Sequence, residues 1–464
     1  MKLTAKDVCN ATGGEITSGH ADTVFTSVTI DSRTATQGAL FVPLPGTRTD
    51  GHAHLGAAVE QGAAGFLFSR QAVSSPPDGA TGIAVQDPLT ALQDLSAWHR
   101  NRLSATIVGI AGSNGKTTTK ELLAQVCAAQ KHSLATLGNL NNHIGLPLSL
   151  LRADGKEEIL VLEMGTSGPG ELTLLSRLAR PHIGVITSIA EEHTEMLTDL
   201  SGVIEAETEL IAALPEDGLA IVNGDDAALL EVVERRARCR VITFGEKTSN
   251  TFRAADVRVS RQGTQFTLYA PIGTRSVQLG LLGSHFALAA LVSIAVAAEC
   301  GIGLDDACVA LRTAHGAPRR MAVIDFPERR LTILDDCYNA NPASMQQALM
   351  TAKQVRMAGE RLILVLGDMR ELGSLSVQRH QEMGAYVASL SPQPDLLVTV
   401  GDEAKDIAIH TQGSGISVQT CQTAEEAAAL VQETIHNFDG HHLVLVKGSR
   451  GVRLEVVTQS LSRD

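Results

Sequence analysis

The sequence predicts an α/β protein of three domains, with proposed bounds at residues 1–100, 101–315 and 316–464. One reason is that apolar strand patterns alternate with helical patterns through the second and third segments. Short, continuously apolar strands separated by helices are typical of parallel sheets that are covered on both faces. The other reason is length, since 464 residues at roughly 100–200 residues per domain predict two to four domains.

The first segment carries short β-rich pieces and ends near a turn-rich stretch at 74–79. Proline and glycine in that stretch interrupt regular structure, and a helix follows. The predicted strands are Val24–Ile30, Ala39–Val42, Ala64–Phe68 and Gly82–Val85, and the predicted helix is Ala91–Arg100. These pieces indicate a small α/β domain.

The second segment opens with an apolar run at 106–112 and then alternates between strand and helix. Alternating polar and apolar residues at 254–279 predict an antiparallel addition to the sheet, and a helical pair follows at 285–300 and 304–313. The other predicted strands are Ile159–Glu163, Ile183–Ser188, Leu219–Val222 and Val241–Phe244. The predicted helices are Lys116–Gln130, Gly170–Leu178, Ser201–Leu214 and Ala227–Arg236.

The third segment repeats the alternation and predicts a second doubly wound α/β domain. One of its helices is expected to start at Thr423, because Thr423 and Glu426 have the spacing of a capping box. The predicted strands are Leu331–Asp335, Leu362–Leu366, Leu396–Val400 and Leu443–Val446.

Composition excludes several classes of function. Lys and Arg total 38 against 51 Asp and Glu, and a net charge of −13 repels nucleic acid. The chain begins without the apolar core of a signal peptide, and its longest apolar run, Phe286–Ala298, is too short to span a bilayer. Seven scattered cysteines without metal-site spacing indicate reduced thiols. We therefore expect a cytoplasmic protein with no nucleic-acid partner and no membrane span.

A glycine-rich loop at Gly109–Thr118 carries the strongest chemical signal. It follows an apolar strand and precedes a helix, so its backbone N–H groups can surround a phosphate at the helix N-terminus. We expect Lys116 to contact the β- and γ-phosphates and Thr117 to hold Mg²⁺. A glycine-rich turn without a ligand is the alternative. The predicted nucleotide-binding residues are Gly112, Ser113, Asn114, Gly115, Lys116, Thr117 and Thr118.

Further motifs, taken together and in this order, are more specific than the loop alone. They are DSR at 31–33, GALFVPLPGTRTDGH at 38–52, GNLNNHIGLP at 138–147, LEMGTSGPGE at 162–171, DDCYNANPASM at 335–345, LGDMRELG at 366–373 and VLVKGSRGVRLE at 444–455. This set resembles the Mur ligase family across nearly the whole chain. The resemblance implies a small N-terminal domain that binds a UDP-substrate, a central P-loop ATPase with a parallel sheet, and a C-terminal Rossmann-like domain.

The resemblance also implies a reaction that uses ATP and Mg²⁺. ATP phosphorylates the terminal carboxylate of a UDP-N-acetylmuramoyl-tripeptide, and the amine of D-alanyl-D-alanine attacks the acyl phosphate to form an amide. Three alternatives stay open: a Mur-type ligase for a single amino acid, a folylpolyglutamate ligase, and a nucleotide-binding protein that has lost catalysis. We expect a monomer.

Metal ligands are implied at Thr117, Glu163 and His193. Glu163 ends an apolar strand beside the loop, where a carboxylate is well placed for Mg²⁺. Its alternative role is to cap the turn at Gly165, and His193 could instead be a surface histidine. The expected catalytic set is Lys116, Glu163, His193 and Arg320. Arg320 could neutralise charge on the phosphoryl group as it is transferred.

The remaining site residues follow from the same resemblance, and each could alternatively be a solvated loop residue. Asp336 and Asn339, with His285, are expected to face the nucleotide. The expected substrate contacts are Ser32, Arg33, Asn141, Asn142, Asp368, Lys447 and Arg450. Arg48 and Asp50 are further candidates for the uridine nucleotide.

Two departures from the family pattern stand out. The family usually has a carbamylated lysine near a metal, and Glu207 aligns with that position, so we expect Glu207, or else its neighbour Glu205, to provide the carboxylate directly. A solvated acidic helix face is the alternative. The second departure leaves His285 but replaces two family asparagines with Phe286 and Ala289. Adenine contacts made by those amides then either come from elsewhere or are weaker.

Overall fold

The computed structural model describes residues 2–46, 49–190, 197 and 199–463. It contains a five-stranded, a nine-stranded and a six-stranded sheet, each with helices packed on it, and a small two-stranded sheet. No helix in the described part of the chain is long and apolar enough to cross a membrane. The three large sheets fall one in each of the predicted segments, and the bounds of those segments remain our proposal.

The N-terminal domain is a mixed sheet with strand order β2-β7-β6-β5-β4, in which only β2 is antiparallel to its neighbour. Its strands are Leu3–Thr4 (β1), Glu15–Ser18 (β2), Val24–Phe25 (β3), Ser27–Thr29 (β4), Ala39–Phe41 (β5), Gly65–Ser69 (β6) and Thr81–Val85 (β7). Its helices are Ala5–Thr12 (α1), Leu55–Glu60 (α2) and Pro88–Arg100 (α3).

The central domain is built on the order β16-β15-β14-β13-β12-β11-β8-β10-β9, parallel except for the pairs formed by β14, β15 and β16. Its strands are Thr106–Ala111 (β8), Ser133–Ala135 (β9), Ile159–Glu163 (β10), Ile183–Ile186 (β11), Leu219–Asn223 (β12), Arg240–Gly245 (β13), Phe252–Ser260 (β14), Gly263–Ala270 (β15) and Gly273–Leu279 (β16). Its helices are Lys116–Ala128 (α4), Gly145–Leu151 (α5), Glu171–Ala179 (α6), Leu200–Glu207 (α7), Glu209–Ala212 (α8), Ala227–Arg236 (α9), His285–Glu299 (α10) and Leu304–Thr313 (α11).

The C-terminal domain has the order β17-β18-β22-β19-β20-β21, with only β17 antiparallel. Its strands are Ala322–Phe326 (β17), Leu331–Asp336 (β18), Arg361–Gly367 (β19), Leu396–Val400 (β20), Ser417–Cys421 (β21) and His442–Lys447 (β22). Its helices are Pro342–Val355 (α12), Ser376–Ala388 (α13), Lys405–Thr411 (α14), Ala424–Asn437 (α15) and Glu455–Arg463 (α16). The expected capping box of Thr423 and Glu426 is confirmed.

Two predicted elements are divided in the structure. The single helix predicted over Ser201–Leu214 is wrong, because α7 ends at Glu207 and α8 starts at Glu209. The Thr208 hydroxyl donates to the Ile204 carbonyl 2.7 Å away, a local bond that competes with regular helix. The strand predicted over Val24–Ile30 is likewise split at Thr26, whose N–H bonds the Gly38 carbonyl.

The N-terminal domain shares a core with the central domain. Buried side chains of α3, including Leu92 and Leu95, pack in one cluster with Leu151 of α5. Leu151 is buried with 2% exposure, while Ile144 and Leu148 cover the same cluster from outside. Because apolar packing is continuous across this junction, the two domains stabilise each other.

We expect Leu151→Ala to destabilise this junction by roughly 2–5 kcal/mol, since it removes a buried side chain and leaves a cavity between two domains. Calorimetric unfolding should show a lower transition temperature and a separate transition for the N-terminal domain. Leu200→Ala is the matched control, because Leu200 is 41% exposed. Equal unfolding curves for the two variants would contradict the shared core.

Candidate active site

The predicted phosphate loop joins β8 to α4, between Ala111 and Lys116. Gly112 and Gly115 have φ angles of 120° and 87°, in the region that favours glycine. A Cβ on Gly112 would lie 2.4 Å from the Thr187 hydroxyl oxygen, so this approach of β8 to the end of β11 requires glycine. Among the described residues, no side chain caps the first turn of α4. Its N–H groups can therefore bind an anion.

Neighbouring groups hold the loop in this shape. The Thr187 and Ser188 hydroxyls lie 2.7 and 3.0 Å from the Asn114 carbonyl oxygen, and the Ala190 N–H donates to the Ser113 hydroxyl at 2.9 Å. The Lys116 ammonium donates to the Gly112 carbonyl and to the Ser113 carbonyl. The ammonium therefore lies over the loop where phosphate charge would be bound.

The loop forms one wall of a cavity of about 240 Å³, and the C-terminal domain forms another. Polar and charged side chains from both domains line it, which suits a nucleotide triphosphate better than an apolar ligand. The predicted site residues in its lining are Ser113, Asn114, Gly115, Lys116, Thr117, Thr118, Asn141, Glu163, His285, Arg320, Asp336, Asn339 and Lys447.

Glu163 lies at the end of β10 and is 2% exposed. The Asn141 amide donates to its Oε1 at 2.8 Å, while Oε2 is buried with no hydrogen-bond partner among the described residues. A buried, unpartnered carboxylate oxygen is costly unless a cation or donor joins it. This oxygen, together with the Thr117 hydroxyl in the same cavity lining, fits the hard oxygen ligands that Mg²⁺ prefers.

Glu207 lies behind the loop, outside the cavity lining. Its Oε2 accepts the Gly112 N–H at 2.7 Å, and the side chain is 2% exposed. Glu205, the other candidate, instead pairs at the surface with Arg235 and Arg236. The alternative of a solvated helix face is thus wrong for Glu207, and of the two glutamates it is Glu207 that reaches the phosphate loop.

The C-terminal wall contains a buried ion pair. The Lys447 ammonium at the end of β22 lies 2.7 Å from Asp336 Oδ2 at the end of β18, and it also donates to the Asn339 carbonyl. The Asn341 amide, at the N-cap of α12, donates to Asn114 Oδ1 at 2.9 Å. This last bond joins the C-terminal domain directly to the phosphate loop.

Arg320 lies in the cavity lining with its guanidinium over the Tyr338 ring, 4.3 Å from the ring centre. The Arg450 guanidinium lies 5.5 Å from the same ring, outside the lining. Stacking on an aromatic ring stabilises a guanidinium by about 0.5–2 kcal/mol and leaves its edge free for hydrogen bonds. Tyr338 thereby orients two cations close to the cavity.

His285 begins α10, half-buried beside Phe286, at 4.3 Å between ring centres. Its Nδ1 is buried with no partner among the described residues. Burial lowers the pKa of His285 to about 4; the Asp336 carboxylate opposes this shift and the Lys447 ammonium adds to it. The imidazole is therefore neutral at physiological pH.

Other predicted residues lie elsewhere. Asn142 uses its Oδ1 to accept the N–H groups of Ile144 and Gly145 at the start of α5. Asp368 accepts two N–H groups, from Glu403 and Ala404, next to β20.

In the N-terminal domain, Ser32 and Arg33 form part of a 3-10 helix. The Arg33 guanidinium pairs with Asp31 through two hydrogen bonds, which lowers the pKa of Asp31 to about 2. Asp50 accepts the N–H of His52 at 2.9 Å. His193 and Arg48 lie outside the described residues.

Sequence reasoning missed several members of the cavity lining: Asn139, Phe286, Ser344 and Gln347. The signal for Ser344 was present, because Asn341-Pro342 followed by Ser344 is a capping box that starts α12 at the cavity. Gln347 then follows one turn further along the same helix.

The fold and cavity define a phosphate-loop enzyme whose nucleotide site is completed by a second domain. Three family models match the chain in order. The model for the Mur ligase family catalytic domain matches residues 24–100, that for the Mur ligase middle domain matches 110–297, and that for the Mur ligase glutamate ligase domain matches 319–450.

Curated relatives match over the full length. The UDP-N-acetylmuramoyl-tripeptide–D-alanyl-D-alanine ligase of Bacillus subtilis is 37% identical, covering 99% of this chain and 98% of the relative. The enzyme of the same name from Escherichia coli is 32% identical, covering 100% and 99%.

Solved structures agree with this. A crystal structure of MurF from Acinetobacter baumannii has a TM-score of 0.90 at 29% identity, covering 100% of this chain and 99% of that one. MurF ligase from Thermotoga maritima in complex with ADP has a TM-score of 0.82 at 26% identity, covering 94% and 97%. The chain belongs to the Mur ligase family of ATP-dependent amide ligases.

The pKa of His285 predicts an acid sensitivity. Below its ordinary pKa of 6.5 the unfolded chain binds a proton at this position, and the folded chain does so only near pH 4. Stability is therefore lost as pH falls from 6.5 towards 4, by at most roughly 2 kcal/mol at pH 5. Between pH 7 and pH 5, we expect the melting temperature of His285→Asn to fall less than that of the parent protein, as measured by scanning fluorimetry. Parallel curves for both proteins would contradict the lowered pKa.

Proposed function

We propose that this enzyme joins D-alanyl-D-alanine to a UDP-N-acetylmuramoyl-tripeptide, with conversion of ATP to ADP and phosphate. The observation that carries the proposal is the cavity shared by the phosphate loop and the C-terminal domain, with Glu163 Oε2 buried in it and unpartnered among the described residues. The names of the full-length relatives favour this substrate pair. We further propose a cytoplasmic monomer, and the seven free cysteines fit a reducing compartment.

Nucleotide binding is assigned to the loop and the first turn of α4. The loop N–H groups surround the phosphates, and Lys116 neutralises charge on the β- and γ-phosphates. Asp336, Asn339 and His285 contact the rest of the nucleotide from the other walls of the cavity. His285 does so as a neutral group, because its lowered pKa keeps the proton off at physiological pH.

Metal binding is assigned to Thr117, Glu163 and His193, whereas Glu207, the expected substitute for the carbamylated lysine, lies outside the cavity lining and is assigned to support of the loop through the Gly112 N–H. Magnesium, when bound, neutralises phosphate charge and polarises the γ-phosphoryl group. Asn141 orients Glu163 by donating to Oε1, which leaves Oε2 for the cation. Glu207 contributes a fixed negative charge at the Gly112 end of the loop.

The proposed chemistry has two steps. A terminal carboxylate oxygen of the tripeptide attacks the γ-phosphorus, the bond to the β-phosphate oxygen breaks, and ADP leaves. Arg320 stabilises the charge on the moving phosphoryl group from its position over Tyr338. The dipeptide amine then attacks the acyl carbon, loses a proton, and the tetrahedral intermediate expels phosphate as the amide forms.

Substrate contacts are assigned to residues on all three domains. Asn141 and Lys447 line the cavity, where Asn141 is assigned to the reacting carboxylate. Lys447 and Arg450, the latter beside Tyr338, are assigned as cationic partners for substrate carboxylates or phosphates. Ser32 and Arg33 are assigned to the uridine nucleotide. Asn142 and Asp368 act on substrate only through the loops that their side chains hold, because both are engaged by backbone N–H groups.

We expect Lys116→Ala to abolish formation of ADP in the presence of both UDP-N-acetylmuramoyl-tripeptide and D-alanyl-D-alanine, with the circular dichroism spectrum unchanged. The loss follows from removing the cation over the phosphate loop. Lys156→Ala is the control, since that lysine is 77% exposed and pairs only with Asp154 among the described residues.

The identity of the amine substrate is tested with a panel of single amino acids, glutamate and dipeptides. ADP formation by the parent enzyme should be highest with D-alanyl-D-alanine. Preference for any other amine would overturn the substrate assignment.

Glu207 supports a second prediction, on bicarbonate. Because the carboxylate is encoded in the side chain, the activity of the parent enzyme should not change when bicarbonate and dissolved carbon dioxide are removed. Glu207→Gln keeps an oxygen for the Gly112 N–H but removes the charge, and we expect a roughly 10- to 100-fold loss of turnover.

Glu205→Gln is the matched control for that prediction, because Glu205 lies on the same helix as Glu207 but pairs with surface arginines of α9. Two results would contradict the direct-carboxylate assignment. One is a fall in the activity of the parent enzyme when bicarbonate is removed, and the other is a Glu207→Gln variant that is as active as Glu205→Gln.

A further inference from the structure

Arg261 lies outside the cavity lining, in the turn between β14 and β15 of the central domain. Its guanidinium reaches across to the C-terminal domain with all three of its nitrogens. Nε donates to the Val355 carbonyl at 3.2 Å, one terminal nitrogen donates to the Thr332 hydroxyl at 3.0 Å, and the other pairs with Glu360. One side chain therefore contacts α12, β18 and the segment before β19.

The acceptors of this arginine are themselves fixed. Glu360 is 2% exposed, and its other oxygen accepts the Met357 N–H at 3.0 Å. The Thr332 hydroxyl in turn donates a hydrogen bond to Asp325 on β17, at 2.8 Å. A planar guanidinium that meets three rigid acceptors allows one orientation only, which a lysine ammonium would not impose.

The contact at Val355 connects Arg261 to the phosphate loop through α12. Val355 is the last residue of α12, and Asn341 is the N-cap at the other end. Asn341 donates to Asn114 of the phosphate loop. The 14 residues of α12 span about 20 Å, so the helix is held at both ends by the central domain.

The face of α12 between these two ends is apolar and packs on the central domain. Ala348, Leu349 and Ala352 are buried in the same cluster as β14 and α10. Apolar packing is non-directional, so it holds the helix against the domain without fixing its angle. The polar contacts at the two ends add directional constraints to this packing.

We propose that Arg261 is a positioning residue for nucleotide binding: it anchors the far end of α12 and thereby holds Asn341, Ser344 and Gln347 over the phosphate loop. The inference rests on the proposed nucleotide site for its effect on ATP, and on the contacts of Arg261 alone for its effect on domain orientation. A rotation of 10° about the loop end would move the Val355 end by roughly 3–4 Å over that length. The three acceptors would then lie out of reach.

The test compares Arg261→Ala, Arg261→Lys and Glu360→Gln with the parent enzyme. Arg258→Ala is the control, because Arg258 is exposed on β14 and its side chain makes no hydrogen bond or ion pair within the described residues. Without nucleotide, small-angle scattering should give a larger radius of gyration for Arg261→Ala than for the parent and the control. With MgATP, KM for ATP should rise roughly tenfold while kcat falls less, because the loop itself is intact.

Arg261→Lys should recover part of the ATP affinity, since one charged contact to Glu360 remains. Glu360→Gln keeps the shape of the acceptor and covers the case in which Arg261→Ala fails to fold. Unchanged scattering and unchanged KM in both Arg261→Ala and Glu360→Gln would overturn the proposal. A parent enzyme that binds no MgATP would overturn the proposed function instead, while the scattering result would still decide the role of Arg261.

Discussion

The hydrogen bond between the Asn341 amide and Asn114 Oδ1 is the contact on which the rest of the site depends. It joins the N-terminus of α12 to the phosphate loop, so that residues of two domains line one cavity. Lys116 and Glu163 come from the central domain, whereas Arg320, Asp336 and Lys447 come from the segment that follows α11. Neither wall alone surrounds a nucleotide. An acyl phosphate hydrolyses if water reaches it, and enclosure by a second domain is a physical means of excluding water.

Charge is distributed across this site in fixed, hydrogen-bonded pairs. Lys447 is 2% exposed and is held by Asp336, and Glu163 is held by Asn141, with one oxygen left over. Glu207 places its carboxylate against the Gly112 N–H rather than in solvent. Buried charges of this kind are strongly destabilising unless they are paired, so each pair also fixes the geometry of the loop or strand end that carries it.

Much of this fold was predictable from the sequence, because buried parallel strands are continuous apolar runs. The strands Ile159–Glu163 and Leu396–Val400 and the helix Ala227–Arg236 begin and end where the apolar pattern predicts. Strands β9 and β21 were not predicted, since each lies at a sheet edge and lacks the continuous apolar run that marks a buried strand.

The site followed the same rule. Residues at the carboxyl ends of strands, such as Glu163 and Lys447, were predicted because parallel strands bring those ends together. The loops that carry Asn142 and Asp368 were predicted, but no sequence pattern tells whether a side chain bonds backbone N–H groups or substrate. The contacts of Arg261 could not be predicted for a related reason. They join residues that are 94 and 99 positions apart in the sequence, and nothing in the sequence around an arginine in a β-turn indicates which domain its side chain will face.

The two junctions of the central domain both combine apolar packing with hydrogen bonds. Toward the N-terminal domain it packs continuous apolar side chains around Leu151, and hydrogen bonds from Gln93, His99 and Arg100 on α3 to backbone carbonyls add directional contacts. Toward the C-terminal domain an apolar helix face is combined with directional hydrogen bonds at each end of α12. The difference lies in what the hydrogen bonds hold. At the first junction they hold backbone carbonyls near α5 and α6, whereas at the second junction one of them holds the phosphate loop itself. Because an acyl phosphate must be kept from water, a direct bond between α12 and the phosphate loop couples the position of the C-terminal domain to the geometry of the site.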